Sequence, residues 1–213
     1  MFRGTERFFR TGYNNNLVAD WIPALQGVEA RLRAGQSRRC RLWPRRFDDS
    51  DGSSLSRFKV LRLRLSRASI ERAKAAAKEA GISDRVTFQQ APATGFPDGN
   101  YDLIAMFDCL HDMGDPVGAG RHVKESLSAD GTWLVVEPFA HDCLKDNLNP
   151  VGRVYYGASM MICTPASLSQ EVGLGLGAQA GETKLRKVAL EARFKHFRRA
   201  TETPFNMVFE VRA

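Results

Sequence analysis

The chain has 213 residues, 43% of them apolar and 26% charged, a balance that suits one α/β domain with a sizeable core and excludes a disordered chain. No apolar run approaches the length of a membrane span, and the opening MFRGTERFFRTGY lacks the apolar stretch and small residues of a secretory leader. The net charge of +7 is local: between Gln36 and Arg67 ten basic residues stand against three acidic ones, and the remainder is neutral.

Four cysteines (Cys40, Cys109, Cys143, Cys163) are scattered with no C-x-x-C pair, which argues against a metal or disulfide framework and for a reducing, cytoplasmic setting. LVADWIPALQGVEARLRAG reads as a helix interrupted at Pro23 and closed by Gly35. Residues 68–80 are Ala-rich and helical, and 85–91 form a short strand. YDLIAMFDCL (101–110) is an apolar run of strand length, as a strand buried on both faces requires. Residues 115–131 predict a helix closed by a glycine, 132–140 another buried strand, and 182–194 a helix. KHFRRATET and FNMVFEVRA flank Thr203-Pro204 as a closing antiparallel pair. The alternation predicts an α/β fold with a doubly wound, mainly parallel sheet, whose ligands bind at the carboxyl ends of the strands.

The order of RVTFQQAPATGFPDGNYDLIAMFDCLHDMGDP, LSADGTWLVVEP, a helix and a terminal hairpin resembles the class I S-adenosylmethionine-dependent methyltransferases. In detail it is similar to bacterial small-molecule methyltransferases with an N-terminal winged-helix domain, for which this chain has no room. The resemblance implies an N-terminal helical segment at 1–34 and a methyltransferase-like domain at 35–213. It also implies a small-molecule acceptor, S-adenosylmethionine as cofactor and no membrane.

One segment departs from that pattern. The family needs an acidic-G-x-G-x-G loop after its first strand and an acidic residue ending its second. Between Gly35 and Ser69 stand instead RRCRLWPRRFDDSDG (38–52) and LRLRLSRAS (61–69). Plausible GC-rich codons for the first, read one base later, give ADVGCGHGASTILM. Trp43-Pro44 forces a glycine at the middle of that motif, because Trp is only TGG and Pro begins with C. The second, shifted alike, gives FGYDYHA, an apolar strand with an acidic residue. Residues 36–67 therefore read as out of frame relative to the family ancestor; the competing reading is a genuine basic insertion. LRLRLS alternates apolar and basic residues, which suits a half-exposed edge strand, and both first strands are expected to be disturbed.

His111, in DCLHDM, matches the H-D-W-x-D segment of small-molecule O-methyltransferases, with Met113 in place of Trp. The resemblance makes it the base that deprotonates an acceptor hydroxyl, with Asp112 orienting the ring; the bland alternative is that it anchors its loop. Phe107 and Asp108 fall where the family lines the adenine pocket, and Ala93 where backbone approaches the adenine, although Pro92 replaces the usual acidic neighbour. Glu137 ends its strand, as a substrate contact or a solvated strand end. Tyr155, Tyr156, Met160 and Met161 are candidate walls of the acceptor site or simply core. Tyr13, in a segment that folds over the cofactor, is a further contact. EVGLGLGAQAG follows no strand and reads as a flexible loop rather than a phosphate cradle. No residue set points to a metal. Two other functions compete with methyl transfer: an inactive remnant or partner-binding protein, and a nucleic-acid binder using the Arg-rich 38–67 segment. The second is disfavoured because a frame change accounts for the arginines.

Overall fold

The computed structural model describes residues 2–33, 40–44, 60–64, 67–84 and 86–213. Its strands are β1 (Cys40–Pro44), β2 (Val60–Arg64), β3 (Val86–Gln90), β4 (Tyr101–Phe107), β5 (Leu127–Pro138), β6 (His196–Glu202) and β7 (Asn206–Arg212). They form one sheet in the order β3-β2-β1-β4-β5-β7-β6. β1 to β5 are parallel, β7 is antiparallel to β5, and β6 closes the edge as its hairpin partner. This is the predicted α/β class with a terminal antiparallel pair. Among the described residues no helix is long and apolar enough to cross a membrane.

β4 and β5 carry unbroken apolar runs, Leu103–Phe107 and Trp133–Val136, because both faces are covered there. On one face Leu103, Ala105 and Phe107 share a core with Leu134, Val136 and Val208 and with Tyr13, Leu17 and Trp21. Those last three come from α1 (Phe2–Asn16) and the π turn Leu17–Trp21, which α2 (Val28–Arg33) follows. On the other face Ile104, Met106, Trp133 and Val135 pack with Val123, Leu185 and Val188. Those three belong to α4 (Pro116–Ser126) and α7 (Gly181–Glu191). α3 (Arg67–Glu79) precedes β3; α5 (Pro150–Ala158), the π turn Ser159–Cys163 and α6 (Thr164–Leu168) lie between β5 and α7. Asp115 starts α4 by accepting from the Gly118 amide at 2.7 Å, with Pro116 in the first turn, the usual economy of an N-terminus.

Three expectations change. The helix predicted over 115–131 stops at Ser126, and Leu127 joins β5 opposite Tyr101 before a register shift to Leu103–Thr132. Gly131 serves this bulge rather than a helix end: a Cβ there would lie 2.8 Å from the Tyr101 carbonyl oxygen. LRLRLS supplies an interior strand, since β2 lies between β3 and β1, and the half-exposed VTFQQ takes the edge. The expected disturbance is not seen in the backbone: β1 pairs with β4 at five successive positions and β2 with β3 at five. The side chains of both strands lie outside the described residues, and of the expected glycine-loop segment 38–52 only the backbone of 40–44 is described.

Candidate active site at the carboxyl ends of the central strands

β4 ends at Phe107, and the chain turns at once. Asp108 takes a left-handed backbone (φ 45°), which Asp tolerates better than most residues, and its amide donates to the Val136 carbonyl at 2.7 Å. The turn carries Cys109, Leu110 and His111 across the end of β5, where Glu137 waits. Glu137 Oε1 accepts from the Cys109 amide at 3.1 Å and the Leu110 amide at 2.9 Å. Its other oxygen lies 2.5 Å from His111 Nδ1, and His111 Nε2 lies 3.2 Å from Asp112 Oδ1. Glu137 is 1% exposed and His111 3%, so the pair sits in a low-dielectric interior. Glu137 is thus no solvated strand end: it fixes the ring of His111 and the turn before it.

Asp108 points to the opposite side of this turn. It accepts from the Tyr13 hydroxyl and from Asn206 Nδ2, at 3.0 Å to Oδ1. Tyr13 is buried, edge-on to Phe107 with ring centroids 5.6 Å apart. Burial, and then the charge of Asp108, push its phenol well above its ordinary value of 10.0. Tyr13, Phe107 and Asp108 therefore form one packed unit joining α1 to β4 and β7.

A strap follows α6. Gly173, Gly175 and Gly177 all have left-handed backbones, and the chain through them is tied to the His111 loop. Ser167 Oγ donates to the Met113 carbonyl at 2.6 Å and Gln170 Nε2 to the Asp112 carbonyl at 2.8 Å. The Leu174 amide bonds the Gly114 carbonyl at 2.9 Å, and the Gly177 amide bonds the His111 carbonyl at 3.3 Å. EVGLGLGAQAG is accordingly an anchored cover rather than the flexible loop its glycines suggested. At Gly177 a Cβ would lie 2.4 Å from Ser159 Oγ, so the glycine is needed for both φ and space.

A cleft of about 570 Å³ opens beside this loop, walled by Pro92, Ala93 and Thr94 after β3, Cys109 and Asp112 after β4, and Gln170 of the strap. Of the sequence candidates, Ala93 and Asp112 line it. Tyr155 is buried, its hydroxyl donating to the Phe205 carbonyl at 2.6 Å, and burial raises its phenol far above the ordinary range. Tyr156 is half-buried, while Met160 and Met161 are about three-quarters exposed, at 75% and 74%. The structure thus joins His111, Asp112 and Glu137, gathers Tyr13, Phe107 and Asp108 in a separate cluster, and turns the two methionines outward. Gln170, Ser167 and Asn206 were not foreseen; a single polar residue in a helix or strand gives no sequence signal of a partner this far along the chain.

An open, mainly parallel sheet with its terminal antiparallel strand, and a buried acid–histidine pair where β4 and β5 end, define a class I methyltransferase fold. A methyltransferase-domain family model matches residues 57–186, and the chain belongs to that family. It is 28% identical over 144 residues to 27-O-demethylrifamycin SV methyltransferase of Amycolatopsis mediterranei (strain S699), covering 62% of this chain and 45% of that protein. The chain thus spans about half the length of the curated relative it matches. Human N-acetylserotonin methyltransferase in complex with SAM superimposes with a TM-score of 0.65 at 13% identity, covering 99% of this chain and 54% of that one. An O-methyltransferase from neocarzinostatin biosynthesis, bound to S-adenosyl-L-homocysteine and 1,4-dihydroxy-2-naphthoic acid, gives 0.59 at 16% identity, covering 84% and 50%.

Proposed function

We propose that this chain transfers a methyl group from S-adenosylmethionine to a hydroxyl of a small molecule, with His111 as the base and Glu137 as the residue that positions it. The observation that carries this reading is the buried His111–Glu137 pair, pinned by two backbone amides where β4 and β5 end. Of the residues expected at the adenosine end of the cofactor, Ala93 lines the cleft, while Phe107 and Asp108 are buried in the Tyr13 cluster. The cleft lies within the roughly 300–1,000 Å³ common for small ligands, and Pro92, Ala93 and Thr94, which follow β3, line it. The methionine end falls to the glycine loop expected over 38–52, where the sequence holds one glycine, Gly52, and of which only 40–44 are described. When bound, the cofactor supplies an electrophilic methyl on sulfonium.

The chain's own residues do the rest. Glu137 accepts the Nδ1 proton, which leaves Nε2 as the nitrogen able to take a proton from the acceptor hydroxyl. Asp112, 3.2 Å from Nε2, then stabilises the charged ring. The glycine strap fixes the backbone of His111, Asp112 and Gly114, so the base is aligned before the acceptor arrives.

The test combines calorimetry with labelled-methyl transfer to a panel of phenols and naphthols. Measurable S-adenosylmethionine binding, with transfer that falls roughly 10²-fold or more in a folded His111→Gln variant, is expected. No binding heat at millimolar cofactor together with no transfer overturns the proposal for this chain and leaves the reading of an inactive family member. The gap in the glycine loop favours that second reading. Sequencing the gene across codons 36–67 tests its cause: if no single-base change restores the glycine motif, the frame-change account fails.

A further inference from the structure

Methyl transfer leaves one neighbour of the His111–Asp112 corner without a task. Cys163 closes the π turn Ser159–Cys163, and its sulfur, a ring nitrogen of His111 and a carboxylate oxygen of Asp112 all lie within 4.8 Å of one another. All three residues are buried, Cys163 at 6% exposure, His111 at 3% and Asp112 at 7%. Nδ1 of His111 is committed to Glu137 at 2.5 Å, so Nε2 is the nitrogen turned toward the cluster. The sequence offered no metal motif because Cys163 comes from another element, brought in by the hydroxyl of Ser159. That hydroxyl lies 3.0 Å from Thr164 Oγ1 and accepts from the Ala178 amide at 3.2 Å.

The donor set is one imidazole nitrogen, one carboxylate oxygen and one thiolate sulfur. Such a mixture suits a borderline-soft divalent ion such as Zn²⁺ rather than Mg²⁺ or Ca²⁺, which take oxygen. Tetrahedral zinc, with bonds of about 2.0–2.1 Å to nitrogen and oxygen, holds those two ligand atoms about 3.3 Å apart; the separation of Nε2 from Asp112 Oδ1 is 3.2 Å. The outer layer fits as well. Metal-bound histidines usually donate their second N–H to a carboxylate, and Glu137 is already in that place, held by two amides. Thiolate and carboxylate would cancel the ion's charge, with the thiol proton of Cys163 released to solvent on binding. Three protein ligands leave a tetrahedral ion one further position, and one of the three, Asp112, also lines the cleft.

We propose that His111 Nε2, Asp112 and Cys163 form a Zn²⁺ site with one open position, and that filling it switches methyl transfer off. The ion takes the Nε2 lone pair that the acceptor proton needs, so metal binding and base action exclude each other. The inhibition rests on the reading of His111 as base; the binding does not.

Cobalt chloride titrated into the full chain is the probe. About one equivalent is expected to give intense tetrahedral visible bands and a near-ultraviolet thiolate-to-cobalt band, both removed by one equivalent of zinc. Cys163→Ser is expected to lose the near-ultraviolet band and Asp112→Asn to weaken binding. Glu137→Gln should weaken binding roughly 10- to 100-fold. Cys143→Ser, an exposed cysteine outside the cluster, should change nothing. Folding of each variant is checked by circular dichroism. Folded wild-type protein without a tetrahedral spectrum overturns the site, as does an unaltered spectrum in folded Cys163→Ser or unaltered affinity in Asp112→Asn. In the activity arm, zinc is expected to abolish transfer and a chelator to restore it. Full transfer at saturating zinc refutes the switch. A cobalt spectrum in a chain that never transfers methyl supports the site and removes only the base reading.

Discussion

Replacing Glu137 separates its two jobs, holding the turn and holding the ring. Three hydrogen bonds converge on this buried carboxylate, from the amides of Cys109 and Leu110 and from His111 Nδ1. Bonds to a charged group contribute about 1.5–3 kcal/mol each. Glu137→Ala deletes all three and strands two buried amides. A loss of about 3–5 kcal/mol is expected, typical of breaking a buried charged network. At about 2–4 °C per kcal/mol for a chain of this size, Tm should fall by about 6–20 °C. Glu137→Gln is the sharper probe. Its carbonyl still accepts from both amides, so the loss is about 1–2 kcal/mol. Its NH₂, however, now faces Nδ1 and forces the proton onto Nε2, the nitrogen that must accept one. Transfer should therefore fall roughly 10²- to 10⁴-fold while the protein stays folded. Thermal melting and S-adenosylhomocysteine release read the two effects separately. A Gln variant within tenfold of wild-type activity, measured well below its Tm, would refute the positioning role.

Tyr13→Phe removes one donor from buried Asp108 and should cost about 1–3 kcal/mol in denaturant unfolding. Burial, then the Asp108 charge, raise the folded-state value of this phenol above 10.0; its stabilisation is thus complete below pH 10.0 and is lost as pH climbs through the raised value, so the variant should unfold less steeply in alkali. Asp142, drawn below its ordinary 3.8, behaves in the opposite sense. Burial opposes the shift, but the hydroxyl and amide of Thr183 outweigh it, so the stabilisation holds above pH 3.8 and is lost as pH falls through the lowered value. Asp142→Asn should flatten the acid limb of a pH–Tm profile by a small amount, since the group is largely exposed. Gly177→Ala combines a φ of 72° with a contact at 2.4 Å from Ser159 Oγ; a loss of about 1–3 kcal/mol and slower transfer are expected, read by melting and turnover. A chain rewritten to ADVGCGHGASTILM over residues 38–51 should bind S-adenosylmethionine about tenfold more tightly or better than the chain as it stands; equal affinity by calorimetry counts against the frame-change account.

What could be read in advance was the part coded locally. LIAMF and WLVV are unbroken apolar runs, as a strand covered on both faces requires, and they form the centres of β4 and β5. The terminal hairpin followed from Thr203-Pro204 between two strand-like runs. LRLRLS misled because alternation reports the chemistry of side chains, not the number of neighbours a backbone has; β3 and β1 pair with β2 on either side. LSADG misled because its glycine meets the demand of a bulge against Tyr101 as well as that of a helix end.

The sequence by itself determined the class of fold, the strands that form its centre, and that His111 and Glu137 each stand where a strand ends. Only the tertiary structure decided that they touch. Contact needed β4 and β5 to be neighbours and Asp108 to adopt a left-handed turn that sends His111 sideways over β5. It also decided that the glycine strap is tied down and that Cys163 faces His111 and Asp112. Periodicity and end signals act over a few residues, whereas these contacts join segments far apart in the chain and exist only once the sheet has fixed their order.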